Sequence, residues 1–217
     1  LDSYDNSLTI EELKRLFYAY CIITAVLCLV IFLIPIAWNG DLNLSSLWRA
    51  FSTSITFSTF GLGLFANMTW KSERLAKWLG KPIVHGVWRG TLNTNYKGMH
   101  RPIEIAFVIR QTFMSLSIES FTQDQDGESK IEALIQNSKT QSTRVCYMFE
   151  LKRQYKGENK LTTGAGDLKL IEAGKKLKGN YWTNSPTDGD LELSLVSREC
   201  SGVDCFSAAK SLKSNMI

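Results

Sequence analysis

Histidine is nearly absent from this 217-residue chain, which has only His85 and His100. Five cysteines are too few and too scattered for a disulfide framework, and Cys200 and Cys205 form a lone C-x4-C near the end. A structural zinc site needs four ligands at finger-like spacing, so no metal is expected and the thiols read as free. There is no G-x-S-x-G, no H-E-x-x-H and no Walker-type glycine loop. Glu104, Glu119, Glu132, Glu150 and Glu192 fall on the outward phase of alternating segments and read as a solvated face. Without convergent acid–base groups an enzyme is not expected, nor a cofactor. The net charge of +4 is too small to argue for duplex DNA, but it suits an anionic membrane surface or a phosphorylated ligand.

Charge is also missing from two long stretches, residues 16–38 and 50–70. A hydrocarbon core ~30 Å thick needs about 20 apolar helical residues, so both read as transmembrane helices. The first is too long for a signal-peptide core, and no A-x-A site follows it. Lys14 and Arg15 precede the first run, and Lys71, Arg74, Lys77 and Lys81 follow the second, while the intervening loop 39–49 carries a single Arg49. Positive charge flanks cytoplasmic ends, which predicts a cytoplasmic N-terminus (1–15), a loop on the far side of the membrane and a cytoplasmic remainder. Trp38, Trp48 and Trp70 sit where interfacial aromatics belong. The second run is rich in Ser and Thr. Ser54 and Ser58, like Thr59 and Gly63, share a face four residues apart, suited to packing within the hairpin or to self-association.

After a basic linker (71–81) the apolar period becomes two. Strands are predicted at 83–94, 102–111, 113–122, 130–137, 143–154, 168–172, 177–183 and 191–197, with turns at 95–98, 123–127 and 184–189. Eight short antiparallel strands without an internal helix suggest an up-and-down barrel or a sandwich. Closure removes the exposed edges, so the expected fold is a membrane-anchored eight-stranded β-barrel over residues 82–199, followed by a tail (200–217) read as a short helix or disorder.

An eight-stranded barrel has room for one small ligand. Its interior is expected to carry Trp88, Tyr147, Phe149 and Tyr181, with Thr94 and Thr183 as polar points, a lining suited to a flat heterocycle. Basic residues fall near both ends: Lys97, Arg101, Arg153 and Lys156 at one, and Arg110, Lys139, Arg144, Lys175 and Arg198 at the other. Arginine holds phosphate bidentately, which adds Arg110 and Arg198 to the candidate ligand-binding residues. Gly86-Val87-Trp88 resembles the G-x-W that opens lipocalin and avidin barrels, where the tryptophan plugs one end.

The runs 16–38 and 50–70, the strand Gly86-Val87-Trp88-Arg89-Gly90-Thr91-Leu92 and the strand Gly179-Asn180-Tyr181-Trp182-Thr183 together resemble one family: the two-helix β-barrel effectors found with CD-NTases in bacterial CBASS antiphage operons. The resemblance implies a barrel that senses a cyclic dinucleotide made by its CD-NTase, assembles into a homo-oligomer and disrupts the lipid bilayer of the infected cell. Two other readings remain at this stage. One is a tethered lipocalin-like barrel for an apolar ligand; the other is a protein-interaction scaffold.

Overall fold

The computed structural model describes residues 4–5, 10–39, 44–95, 102–137, 139–140, 142–153, 162–185 and 187–212. The chain divides into two compact units, Leu8–Met68 and a second formed by Leu1–Ser7 with Thr69–Ile217.

The first unit is a helical hairpin of α1 (Ile10–Asn39) and α2 (Leu44–Asn67). Ala50, Ser54 and Ser58, spaced four apart, are the buried face of α2, and the Tyr20 hydroxyl meets Thr59 Oγ1 at 3.1 Å. Small side chains at that spacing let the two backbones approach, so the stripe seen in the sequence serves packing within the hairpin. Gly61 and Gly63 face open space. Among the described helices α1 alone is long and apolar enough to cross a membrane, over Leu13–Ile34 with a mean hydropathy of 2.7. The hydroxyls that fill α2, together with Arg49, keep it below that mark.

In the second unit the expected linker contains a short helix, α3 (Glu73–Leu79). Ser72 caps its start, and Gly80 ends it at φ 71°. Leaving aside β1 (Tyr4–Asp5), eight strands follow: β2 (Gly86–Thr94), β3 (Ile103–Gln111), β4 (Leu116–Phe121), β5 (Gln125–Asn137), β6 (Ser142–Arg153), β7 (Thr162–Ile171), β8 (Lys176–Thr183) and β9 (Asp188–Ser197). Each pairs antiparallel with the next and β9 returns to β2, so the sheet closes on itself. β1 lies parallel beside β5, opposite Ile131 and Glu132.

Alternation sends one phase of each strand inward. Trp88, Phe107, Ile109, Leu116, Val145, Leu168, Leu177, Leu191 and Leu193 form a single buried core. Two expectations fail locally. β7 begins at Thr162, well before the predicted 168, because Thr-Thr-Gly-Ala-Gly looks like a breaker in sequence. In the barrel Gly164 and Gly166 lie directly against the rings of Phe149 and Tyr147, where no side chain fits. Glu132, read as solvent-facing, is buried and accepts a hydrogen bond from Ser129 Oγ. A bulge between Ser129 and Ile131 inverts the phase of β5 there, placing Ile131 and Ile135 outside and Glu132 inside.

The tail forms α4 (Phe206–Ser211). It covers the outer face of β2 and β3, where Val87, Ala106 and Val108 join Phe121, Cys200, Val203 and Ala209 in a second apolar cluster.

Candidate ligand-binding site

The two ends of the barrel differ. The end at which the chain arrives is sealed. Trp88 is wholly buried there, its Nε1 donating to Val84 O at 2.9 Å, and the Arg198 guanidinium packs 5.8 Å from its ring. Arg198 also donates to the carbonyls of His85 (2.7 Å), Ile83 (3.4 Å) and Gly174 (3.5 Å). Gln111 pins the incoming segment: its Oε1 accepts from Val84 N and His85 N, and its Nε2 donates to Pro82 O. Trp70 packs edge-on against Phe113, and the buried Lys81 ammonium donates to Phe113 O.

His85 lies in this seal. Its Nδ1 accepts from Gln111 N at 3.1 Å, and its Nε2 is 3.7 Å from Cys200 Sγ. Burial, with the charges of Lys71 and Arg198 adding to it, lowers its pKa to about 4. In the unfolded chain the ring titrates near 6.5, so between pH 4 and 6.5 the unfolded state binds the extra proton. Stability is therefore complete above about pH 6.5 and falls as the pH drops toward 4. At pH 5 the loss relative to pH 7.5 is expected to be about 2 kcal/mol, and His85→Gln is expected to abolish it. Denaturant unfolding at the two pH values measures this; equal pH slopes in the two proteins contradict it.

At the opposite end, the last residues of β2, β6 and β8, the first residues of β3 and β7 and the turn between β4 and β5 surround a cavity of about 440 Å³, within the ~300–1,000 Å³ usual for small-molecule sites. Leu92, Ile103 and Leu151 give it apolar walls, and Tyr181 adds an aromatic surface. Five threonines line it: Thr94, Thr122, Thr162, Thr183 and Thr187. Burial raises the Tyr181 phenol pKa, against the opposing effect of a hydrogen bond with Thr94. The Thr122, Thr183 and Thr187 hydroxyls are engaged in the turns beside them. Thr162 Oγ1 is buried with no hydrogen-bond partner among the described residues. Glu104, Asp124 and Phe206 also line it, beside Pro102, Gln123 and Gln125, and no lysine or arginine is among the described lining residues.

The eight candidate residues separate accordingly. Thr94, Tyr181 and Thr183 meet at the mouth. Phe149 and Tyr147 lie in successive layers beneath it, paired with Gly164 and Gly166. Tyr147 stacks edge-on to Phe107 at 5.7 Å, and burial pushes its phenol pKa strongly up. Trp88 and Arg198 belong to the sealed end. Arg110 is exposed on the outer face, paired with Glu119 and donating to Val203 O. Arg144 is also outside, in a two-point pair with Asp167 (2.8 and 2.5 Å). The basic residues expected at the mouth, Lys97, Arg101 and Lys156, lie outside the described residues, as does the side chain of Arg153. Sequence reasoning missed Thr162, because the glycines after it hid its strand. It also missed Thr122, read as the end of a strand, and Thr187, read as a turn residue.

A closed barrel with one sealed end and a polar cavity at the other has the form of a small-ligand receptor. The family model of the Cap15 cyclic dinucleotide receptor domain matches residues 80–194, more than half the chain and nearly the whole barrel. The chain belongs to this family, a CBASS effector with a β-barrel. A curated relative, CD-NTase-associated protein 15 of Staphylococcus schleiferi, is 25% identical over 142 residues, which cover 65% of this chain and 76% of that protein.

Proposed function

We propose that the barrel mouth binds a cyclic dinucleotide made by a partner CD-NTase, that the occupied form self-associates, and that the α1–α2 hairpin then disrupts the inner membrane. The observation that carries this reading is the mouth itself: apolar walls, an aromatic ring and clustered hydroxyls within the domain the receptor family defines. Thr94, Tyr181 and Thr183 are the proposed contacts. The name of the staphylococcal relative supports the link to a CD-NTase. For the membrane step, α1 supports the reading. None of its Leu13–Ile34 stretch is buried, and an uncovered apolar helix of that length is stable in lipid rather than in water. In this reading α2 is the second span, and the basic residues that flank the hairpin support an orientation with both termini cytoplasmic. Gly61 and Gly63, open on α2, suit close helix contacts in an assembly. Signalling requires the ligand to bind the assembled form more tightly, since equal affinity for both forms shifts nothing.

The test is thermal unfolding of the full chain in detergent with a panel of cyclic dinucleotides and, as controls, fatty acids. A ligand at about 100 times its Kd adds ~2.7 kcal/mol. One dinucleotide is expected to shift the transition and to cause dye leakage from anionic vesicles carrying the protein. A shift with fatty acids alone transfers the assignment to an apolar-ligand barrel. Binding without leakage removes the membrane step.

A further inference from the structure

Phe206 of the C-terminal helix α4 lines the mouth, although it lies beyond the receptor domain matched at 80–194. One turn later, the Lys210 ammonium is 2.6 Å from Glu104 Oε2, and Glu104 is itself on the cavity rim. Lys210 Nζ lies 5.7 Å from the Phe206 ring centroid, and its backbone carbonyl accepts from Arg89 Nη1 at 2.6 Å. Ala209 is fully buried against the β2–β3 face. The helix is therefore seated on the barrel wall, with one aromatic and one ammonium brought to the edge of the site.

Charge at the mouth makes this placement consequential. A cyclic dinucleotide carries two phosphodiester anions, yet the described lining contributes Glu104 and Asp124 and no cation. Lys210 is the described cation tied to the rim, and its partner is one of those carboxylates. A phosphate arriving there meets a carboxylate that repels it and an ammonium able to donate to it.

We infer that α4 is part of the ligand site, with Phe206 as a wall and Lys210 as a phosphate-binding cation that leaves Glu104 for the ligand. This rests on the cyclic-dinucleotide reading above and extends the site past the receptor domain.

The two partners of the ion pair should have opposite effects on binding. Calorimetric titration of the full chain in detergent with the cyclic dinucleotide panel is the experiment. Lys210→Gln is expected to weaken binding about tenfold, an effect that shrinks with added salt. Glu104→Gln is expected to tighten it about threefold, by removing a repulsive charge and freeing Lys210. Lys210→Arg is expected to retain affinity. Both Gln variants should unfold near the parent midpoint, because an exposed pair contributes little to stability. Equal affinity in all variants, or weakening in both Gln variants alike, overturns the inference while leaving the receptor reading intact. Failure of the parent chain to bind any dinucleotide overturns the receptor reading, and the inference with it.

Discussion

Trp88→Ala is expected to remove about 4 kcal/mol of barrel stability, the range for emptying a fully buried aromatic site. Trp88 has no exposed surface and closes the core on the side where the chain enters. Its loss opens a void beneath Val84, leaves the Val84 carbonyl without the indole donor, and takes away the ring on which the Arg198 guanidinium rests. Arg198 is half-buried and feeds three backbone carbonyls, so loosening it also loosens the segment from Ile83 to His85. Denaturant unfolding followed by far-UV circular dichroism measures the cost. Trp78→Ala is the control: Trp78 is 77% exposed on α3, and the expected change is within about 0.5 kcal/mol. A cost for Trp88→Ala as small as that of the control would mean that another group seals this end.

Gly90→Ala is expected to cost about 3 kcal/mol, from overpacking against backbone. Gly90 stands where β2 meets β9, at the seam that joins the first and last barrel strands. A Cβ there would lie 1.8 Å from the Glu192 carbonyl oxygen and 2.8 Å from Leu193 Cα. Neither atom can turn away as a side chain would, so the two strands must separate at the closure. Gly179 repeats the situation between β8 and β7, where a Cβ would sit 1.9 Å from the Asp167 carbonyl oxygen. Gly127 offers the comparison, since its Cβ would meet Ser120 Oγ at 2.5 Å and Leu151 Cδ2 at 3.0 Å, both side-chain atoms. Gly127→Ala is expected to cost about 1 kcal/mol. Unfolding midpoints of the three variants test the ranking, and Gly127→Ala costing as much as Gly90→Ala would refute it.

Those glycines explain why the two segments that carried the family resemblance were informative. Gly86–Leu92 and Gly179–Thr183 each contain a glycine pressed against a neighbouring strand's carbonyl. Gly86 itself adopts φ 144° at the bulged start of the seam. The spacing records backbone contacts that a closed barrel imposes.

Strand number, order of pairing and most of the inward phase were legible because alternation of apolar and polar residues is local. Val145, Tyr147 and Phe149 face inward on β6, as do Leu191, Leu193 and Leu195 on β9. Alternation failed at β5, where one bulge moved Glu132 inside. It was also silent at Thr162, whose strand begins with glycines that make room for rings on β6. The site was less legible than the fold. Thr94, Tyr181 and Thr183 share a mouth because β2 and β8 end at the same side of the barrel. The two arginines read as phosphate ligands lie away from that mouth. Arg198 lies across Trp88, and Arg110 pairs with Glu119 on the outer wall.

The apolar run that becomes α1, the eight-strand pattern and the buried tryptophan of G-x-W were legible along the chain. Each of these is written in residue type and period along the chain. Folding settles which end of the barrel is sealed and which hydroxyls converge. It alone brought Lys210 to Glu104 across 106 positions of sequence. Such contacts depend on strand register, on a one-residue bulge and on the path of the tail over β2 and β3, and no local period encodes any of these.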